Sequence, residues 1–198
     1  MIKAVVFDFG NVIADFNQVE LIKQFNPKSM KPLAFQNIIF QNWSALDDGK
    51  IELETYIEDC LKRAPESAKP EIIDFIHRWP QFLKYNEPIY ELIKELESKE
   101  VRLFLLSNAP KFFQESLPNF HILNAFEGLV LSGVEQVSKP NPRIYQILLE
   151  RYDLQPESTL FIDDLKENVE AARALGIQAV QYKGSTDEIY EWLQKSVE

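Results

Sequence analysis

The feature that most constrains this chain is an alternation of two hydrophobic periods. Apolar runs of strand length occur in Ile2–Val12, Val101–Leu106, Gly128–Ser132, Thr159–Ile162 and Ala179–Tyr182. Most of the stretches between them carry apolar residues at helical spacing. A near-continuous apolar run reads as a strand buried on both faces, and strand–helix alternation lays such strands side by side in parallel. In Pro88–Lys99, Ile89, Leu92, Ile93 and Leu96 fall at i, i+3, i+4 and i+7, with Pro88 at a first helical position. Lys111–Leu117 reads as a short helix. Asn141 and Pro142 open a further one, whose apolar face is Tyr145, Leu148, Leu149 and Tyr152. A helix from about Lys166 ends at Leu175-Gly176, with glycine at its C-cap. Ser185-Thr-Asp-Glu188 reads as a capping box for the terminal helix. The expected fold is α/β, a doubly wound parallel sheet of Rossmann-like type.

From about Asn17 to Tyr85 the period stays helical. Asn17–Phe25, Leu33–Trp43, Glu52–Arg63 and Glu71–Trp79 read as four short helices with no strand between them, interrupted by Pro27, Pro32, Asp47-Asp48-Gly49 and the proline-containing Ala64–Pro70. This predicts a small helical bundle, residues 16–85, inserted into a sheet domain made of residues 1–15 and 86–198.

Charge and cysteine usage exclude several function classes. The net charge is −10 and the pI about 4.8, so the chain lacks the basic face that nucleic-acid binding requires. The single Cys60 excludes an intramolecular disulfide and a cysteine-cluster metal site. No stretch approaches the roughly 18 apolar residues of a membrane span, and the N-terminus runs straight into a strand without the architecture of a signal peptide. A cytoplasmic protein is expected, a monomer or a homodimer.

In such a sheet, ligands bind beyond the carboxyl ends of the strands. Those ends carry Asp8, then Ser107-Asn108, then Asp163-Asp164, with Lys139 in a loop before a helix. Singly, each has an ordinary reading as turn, cap or solvated loop residue. Together they supply a carboxylate nucleophile, hydroxyl and amide donors, one cation, and two carboxylates suited to a hard metal ion. In the insertion, Trp43, Asp47, Asp48 and Lys50 are candidates to reach inward, against the plainer reading of a core tryptophan and a solvated turn. His77 and His121 have no partner pattern, and Cys60 falls on an apolar helix face.

The stretches VVFDFGNVIADF, LFLLSNA, VSKPNPRIY and LFIDDLKENVEAARALGI resemble, in order and spacing, the four motifs of the haloacid dehalogenase-like hydrolase superfamily. The helical insertion resembles that superfamily's type-one cap. The variant FDFGNV is similar to a subgroup of sugar-phosphate phosphatases that includes an α-glucose-1-phosphate phosphatase. It is also close to the phosphatase domain of soluble epoxide hydrolase, which carries Asp where this chain has Gly10. The resemblance implies a Mg²⁺-dependent phosphatase acting on a small phosphorylated metabolite, a sugar phosphate by preference, through an aspartyl-phosphate intermediate. By the same resemblance Asp8 attacks phosphorus, Ser107 and Asn108 hold the transferring group, and Lys139 bridges it to Asp8. Mg²⁺ sits on Asp8, the Gly10 carbonyl and Asp164, with Asp163 assisting directly or through water. The alternatives are a silent phosphate-binding protein of the same fold and a metal-independent dehalogenase.

One departure stands out. Most of the superfamily carries an aspartate, the general acid and base, two residues past the nucleophile. Gly10 cannot transfer a proton, and losing a positioned acid or base typically costs about 10²–10⁴-fold. Three outcomes follow: a leaving group that needs no proton, a substitute such as Asp15 or a cap residue, or binding without turnover.

Overall fold

The computed structural model describes residues 1–195. The chain enters on β1 (Ala4–Phe7), turns through Gly10 and reaches the two-residue β2 (Ala14–Asp15). Five helices follow: α1 (Gln18–Phe25), α2 (Pro32–Phe40), α3 (Trp43–Asp47), α4 (Leu53–Arg63) and α5 (Lys69–Arg78). β3 (Lys84–Tyr85) then returns antiparallel to β2. The alternating part runs α6 (Glu87–Ser98), β4 (Arg102–Ser107), β5 (Gly128–Leu131), the single turn α7 (Ser132–Glu135) and α8 (Pro142–Tyr152). It ends with β6 (Thr159–Asp163), α9 (Lys166–Ala174), β7 (Gln178–Gln181) and α10 (Asp187–Lys195).

Five strands pair in parallel in the order β5-β4-β1-β6-β7, the doubly wound arrangement that the alternation predicts. Side chains alternate across the sheet with the strand period of two. Val5, Phe7, Leu103, Leu105, Leu160 and Ile162 face one core, which is shared with α6, α10 and the inserted helices. Ala4, Val6, Phe104, Leu106, Val130 and Phe161 face the other, against Ile144 and Leu148 of α8 and Val169 and Ala172 of α9. Both faces are covered, which is why these strands read as near-continuous apolar runs. The chain grows outward from β1 to β5, then crosses back to β6. The crevice where strand order reverses therefore opens at the ends of β1 and β6.

Four details differ from the expectation. The Leu33–Trp43 pattern divides into α2 and α3 across Gln41-Asn42, giving five helices in the insertion rather than four. The β2–β3 pair, too short for a period-two pattern to register, ties the exit of the insertion to its return, and the Asn86 side chain clamps this crossing to the Val12 carbonyl at 2.8 Å and the Tyr182 hydroxyl at 2.9 Å. The capping box does not form as read. The Thr186 carbonyl accepts the first helical bond, from Tyr190, while Ser185 pairs with Asp187 rather than with Glu188. Lys111–Leu117 is helical but of the tighter 3₁₀ kind, running on to Asn119.

Candidate active site

Asp8 follows the last residue of β1, and its N–H continues the ladder to the Ile162 carbonyl at 2.9 Å. The backbone then folds tightly, with the Ile13 and Ala14 amides both donating to the Phe9 carbonyl and the Asn11 amide returning to Ala14 at 2.7 Å. Asn11 sits at φ 56°, a left-handed conformation that asparagine tolerates better than most residues. Its side chain does two things. Oδ1 accepts from the Phe16 amide, and Nδ2 donates to Asp164 Oδ2, each at 3.0 Å.

Lys139 is the hub. Its ammonium lies 2.8 Å from Asp8 Oδ1 and 2.7 Å from Asp163 Oδ2, and all three residues are buried. Asp163 is saturated: Oδ1 accepts from the Leu165 amide at 2.8 Å and the Asn168 amide group at 2.9 Å, while Oδ2 takes Lys139 and Asn168. A buried carboxylate is tolerable only when bonded this completely. Asn108 forms a reciprocal pair with Lys139, its Nδ2 donating to the Lys139 carbonyl and its Oδ1 accepting from the Lys139 amide, both at 2.9 Å. The Asn108 side chain thus fixes the lysine's backbone. Ser107, at the end of β4, is buried beside it.

Charge shapes the site. Carboxylate oxygens of Asp8, Asp163 and Asp164 come within 4.8 Å of one another, with one lysine among them. Burial pushes the Asp8 pKa up to about 7; Lys139 pulls against this, while Asp163 and Asp164 add to it. Burial also raises Asp164, partly offset by the bond from Asn11. For Lys139, burial alone lowers the pKa, but the two carboxylates outweigh it and hold the ammonium charged. This oxygen-rich, under-neutralised cluster is the donor set that a hard divalent cation takes.

A cavity of about 180 Å³ opens over these groups. Its floor is Asp8, Ser107, Lys139 and Asp164, and its far wall includes Phe16, Trp43, Asp47 and Trp79 from the insertion. Trp43 is both things the sequence allowed, a core residue of the helices and a wall of the cavity. Asp48 and Lys50 pair with each other at 2.6 Å and do not line this cavity. Asp15 is exposed on β2 and does not line this cavity. His77 and His121 are exposed, and Cys60 is buried with its thiol 3.5 Å from the Ile38 carbonyl. Two contributors escaped the sequence reading. Asn168 was hidden on the buried face of α9 beside Val169 and Ala172; a polar residue on that apolar stripe, five positions after Asp163, was the available signal. Asn11 was visible only as a turn residue.

A doubly wound parallel sheet with a carboxylate, a buried lysine and an acidic pair at its switch point defines a Rossmann-like α/β scaffold with a polar site beyond its strand ends. The haloacid dehalogenase-like hydrolase family profile matches residues 2–176, and the chain belongs to that family. It is 28% identical over 185 residues to a sesquiterpene phosphatase of Aspergillus oryzae, covering 88% of this chain and 87% of that one. It is 26% identical to a D-ribitol-5-phosphate phosphatase of Bacteroides thetaiotaomicron, across 94% and 95% of the two chains. Among solved structures, a haloacid dehalogenase family enzyme from Bacteroides thetaiotaomicron, in complex with magnesium and inorganic phosphate, superposes with a TM-score of 0.72 at 22% identity, over 94% of this chain and 97% of that one. The relatives named are phosphatases, and this chain is a hydrolase of the same family. No helix among the described residues is long and apolar enough to cross a membrane.

Proposed function

We propose that the protein is a divalent-cation-dependent phosphatase of small phosphorylated metabolites, with sugar and polyol phosphates as the leading class. The observation that carries this reading is the Asp8–Lys139–Asp163 chain with Asp164 beside it, at the switch point of the sheet. The named relatives that act on phosphate esters support it.

A carboxylate that attacks a phosphate dianion faces like-charge repulsion, and the residues here divide the work of removing it. Asp8 presents a nucleophilic oxygen to phosphorus while its Oδ1 stays on Lys139 and the Phe9 amide. Lys139 supplies positive charge next to the incoming phosphoryl oxygens, held by Asp163 from behind and by Asn108 through its backbone. Ser107 and the start of the Asn108 loop supply donors where charge develops. Mg²⁺ would be held by Asp8, the Gly10 carbonyl and Asp164, and would supply charge neutralisation and phosphate orientation. We assign Asp163 first to bracing Lys139, since both its oxygens are already engaged. Residues 16–85 act as the cap over this floor, excluding water and touching the part of the substrate that does not react. Attack by Asp8 expels the alcohol, and water then cleaves the aspartyl phosphate.

The test is phosphate release from p-nitrophenyl phosphate and a metabolite panel, with Mg²⁺ and with EDTA. Turnover that needs the metal and disappears in Asp8→Asn is expected. Metal-dependent binding of a phosphate mimic without turnover on any ester selects the silent phosphate-binding alternative, which the bare Gly10 favours. Metal-independent halide release selects a dehalogenase.

A further inference from the structure

Expelling an alkoxide from phosphorus calls for a proton, and the residue two past the nucleophile is a glycine. The cavity over Asp8 is lined by four ionisable side chains: Asp8, Asp47, Lys139 and Asp164. Three have work in the phosphatase reading. Asp47 does not.

Asp47 ends α3 in the insertion, on a turn that docks against the sheet domain at three points. Its backbone carbonyl accepts from Ser132 Oγ, and the neighbouring Asp48 Oδ1 accepts from Ser138 Oγ. Gly49, at φ +65°, packs so closely on Gly133 that a Cβ there would come 2.7 Å from its carbonyl oxygen. The residue is therefore fixed relative to Asp8, although it arrives from a different part of the chain. Asp47 Oδ1 is buried and has no hydrogen-bond partner. An orphaned buried acceptor is uncommon and asks for an explanation. Asp47 also owes nothing to the ion cluster below, since it makes no salt bridge to Lys139.

We propose that Asp47 is the proton donor and acceptor that Gly10 cannot be, a general acid delivered by the cap. The proposal rests on the phosphatase reading. In the first step an Asp8 oxygen bonds to phosphorus, the ester P–O bond breaks, and its electron pair leaves on the alcohol oxygen. That oxygen takes the proton of the Asp47 carboxyl, giving alcohol, aspartyl phosphate and an Asp47 carboxylate. In the second step Asp47 takes a proton from water as the water oxygen bonds to phosphorus. The P–O bond to Asp8 breaks, releasing phosphate and restoring both aspartates to their starting forms. The surroundings suit a donor. Burial, with the Asp48 charge beside it, holds the Asp47 carboxyl well above the usual carboxylate range, against a smaller pull from the Trp43 indole. The other ionisable groups around it are Lys50, paired with Asp48, the phenol of Tyr56 from α4, and Asp8, Asp164 and Lys139 across the cavity.

A leaving-group comparison tests this. Asp47→Asn and Asp47→Ala, first checked for a single cooperative thermal unfolding transition, are assayed with Mg²⁺ on glycerol phosphate, whose alkoxide needs a proton, and on p-nitrophenyl phosphate, whose phenolate does not. We expect the ratio of kcat on the alkyl ester to kcat on the aryl ester to fall about 10²-fold or more in both variants. A ratio equal to wild type, whether both rates drop together or neither does, overturns the assignment. A wild-type protein silent on both esters sinks the phosphatase reading itself and the proton donor with it.

Discussion

Asp8 is costly to keep. Three carboxylates, two of them buried and Asp164 half-buried, cluster around one buried lysine, and burial lifts the Asp8 pKa to about 7, so ionising it is harder in the folded protein than in the unfolded chain. Asp8→Asn is therefore expected to act in two directions. Activity falls on the order of 10⁴-fold or more, as when a nucleophile is removed, while the melting temperature of the metal-free protein at pH 7.5 rises; phosphate release and thermal scans in EDTA check the pair. Lys139 is the opposite case. Its removal leaves Asp163, fully buried, without its counter-charge. Lys139→Ala is expected to destabilise by roughly 3–5 kcal/mol, and adding Asp163→Asn should return much of that loss, which denaturant titration of the double-mutant cycle measures.

At the scale of elements, the decisive contact is the turn after α3 against α7 and the loop that follows it. The insertion meets the sheet domain through the β2–β3 crossing with its Asn86 clamp, and again through Asp47, Asp48 and Gly49. Gly49 is the vulnerable point, because its positive φ and its approach to Gly133 both exclude a side chain. Gly49→Ala is expected to cost roughly 1–3 kcal/mol of backbone strain. It should also raise KM by displacing the cavity's far wall, without altering the Asp8–Lys139 pair. Steady-state kinetics alongside denaturant unfolding separate the two effects.

For the whole molecule the site sets how stability depends on pH and metal. Asp8 and Asp164 both have folded-state pKa values above the unfolded ones, so the folded protein holds more protons between about pH 4 and 7. Stability from this source is complete below the unfolded pKa and is lost as pH rises through the folded one. Metal-free protein should thus melt at lower temperature at pH 7.5 than at pH 5.5, and Asp8→Asn should flatten that slope. A cation that binds only the folded form adds RT ln(1 + [L]/Kd), about 2.7 kcal/mol at a hundredfold excess over Kd. Mg²⁺ should therefore raise the melting temperature more at pH 7.5 than at pH 5.5, where protons compete for the same oxygens; thermal scans with Mg²⁺ or EDTA at the two pH values read this directly.

By itself the sequence determined that Asp8, Ser107, Lys139 and the Asp163-Asp164 pair would meet at one edge of a parallel sheet. The reason is one-dimensional: period-two apolar runs, helices between them and a fixed crossover hand leave almost no other arrangement. What each side chain does there was decided only by tertiary structure. Asn108 turned its amide to the Lys139 backbone 31 residues away, Asp163 spent both oxygens holding Lys139 and α9, and Asp47 was brought over the cavity by a bond to Ser132, 85 residues on. Periodicity fixes which face a residue occupies. Which partner a polar group finds depends on loops whose conformations follow no period, and so it had to be seen in three dimensions.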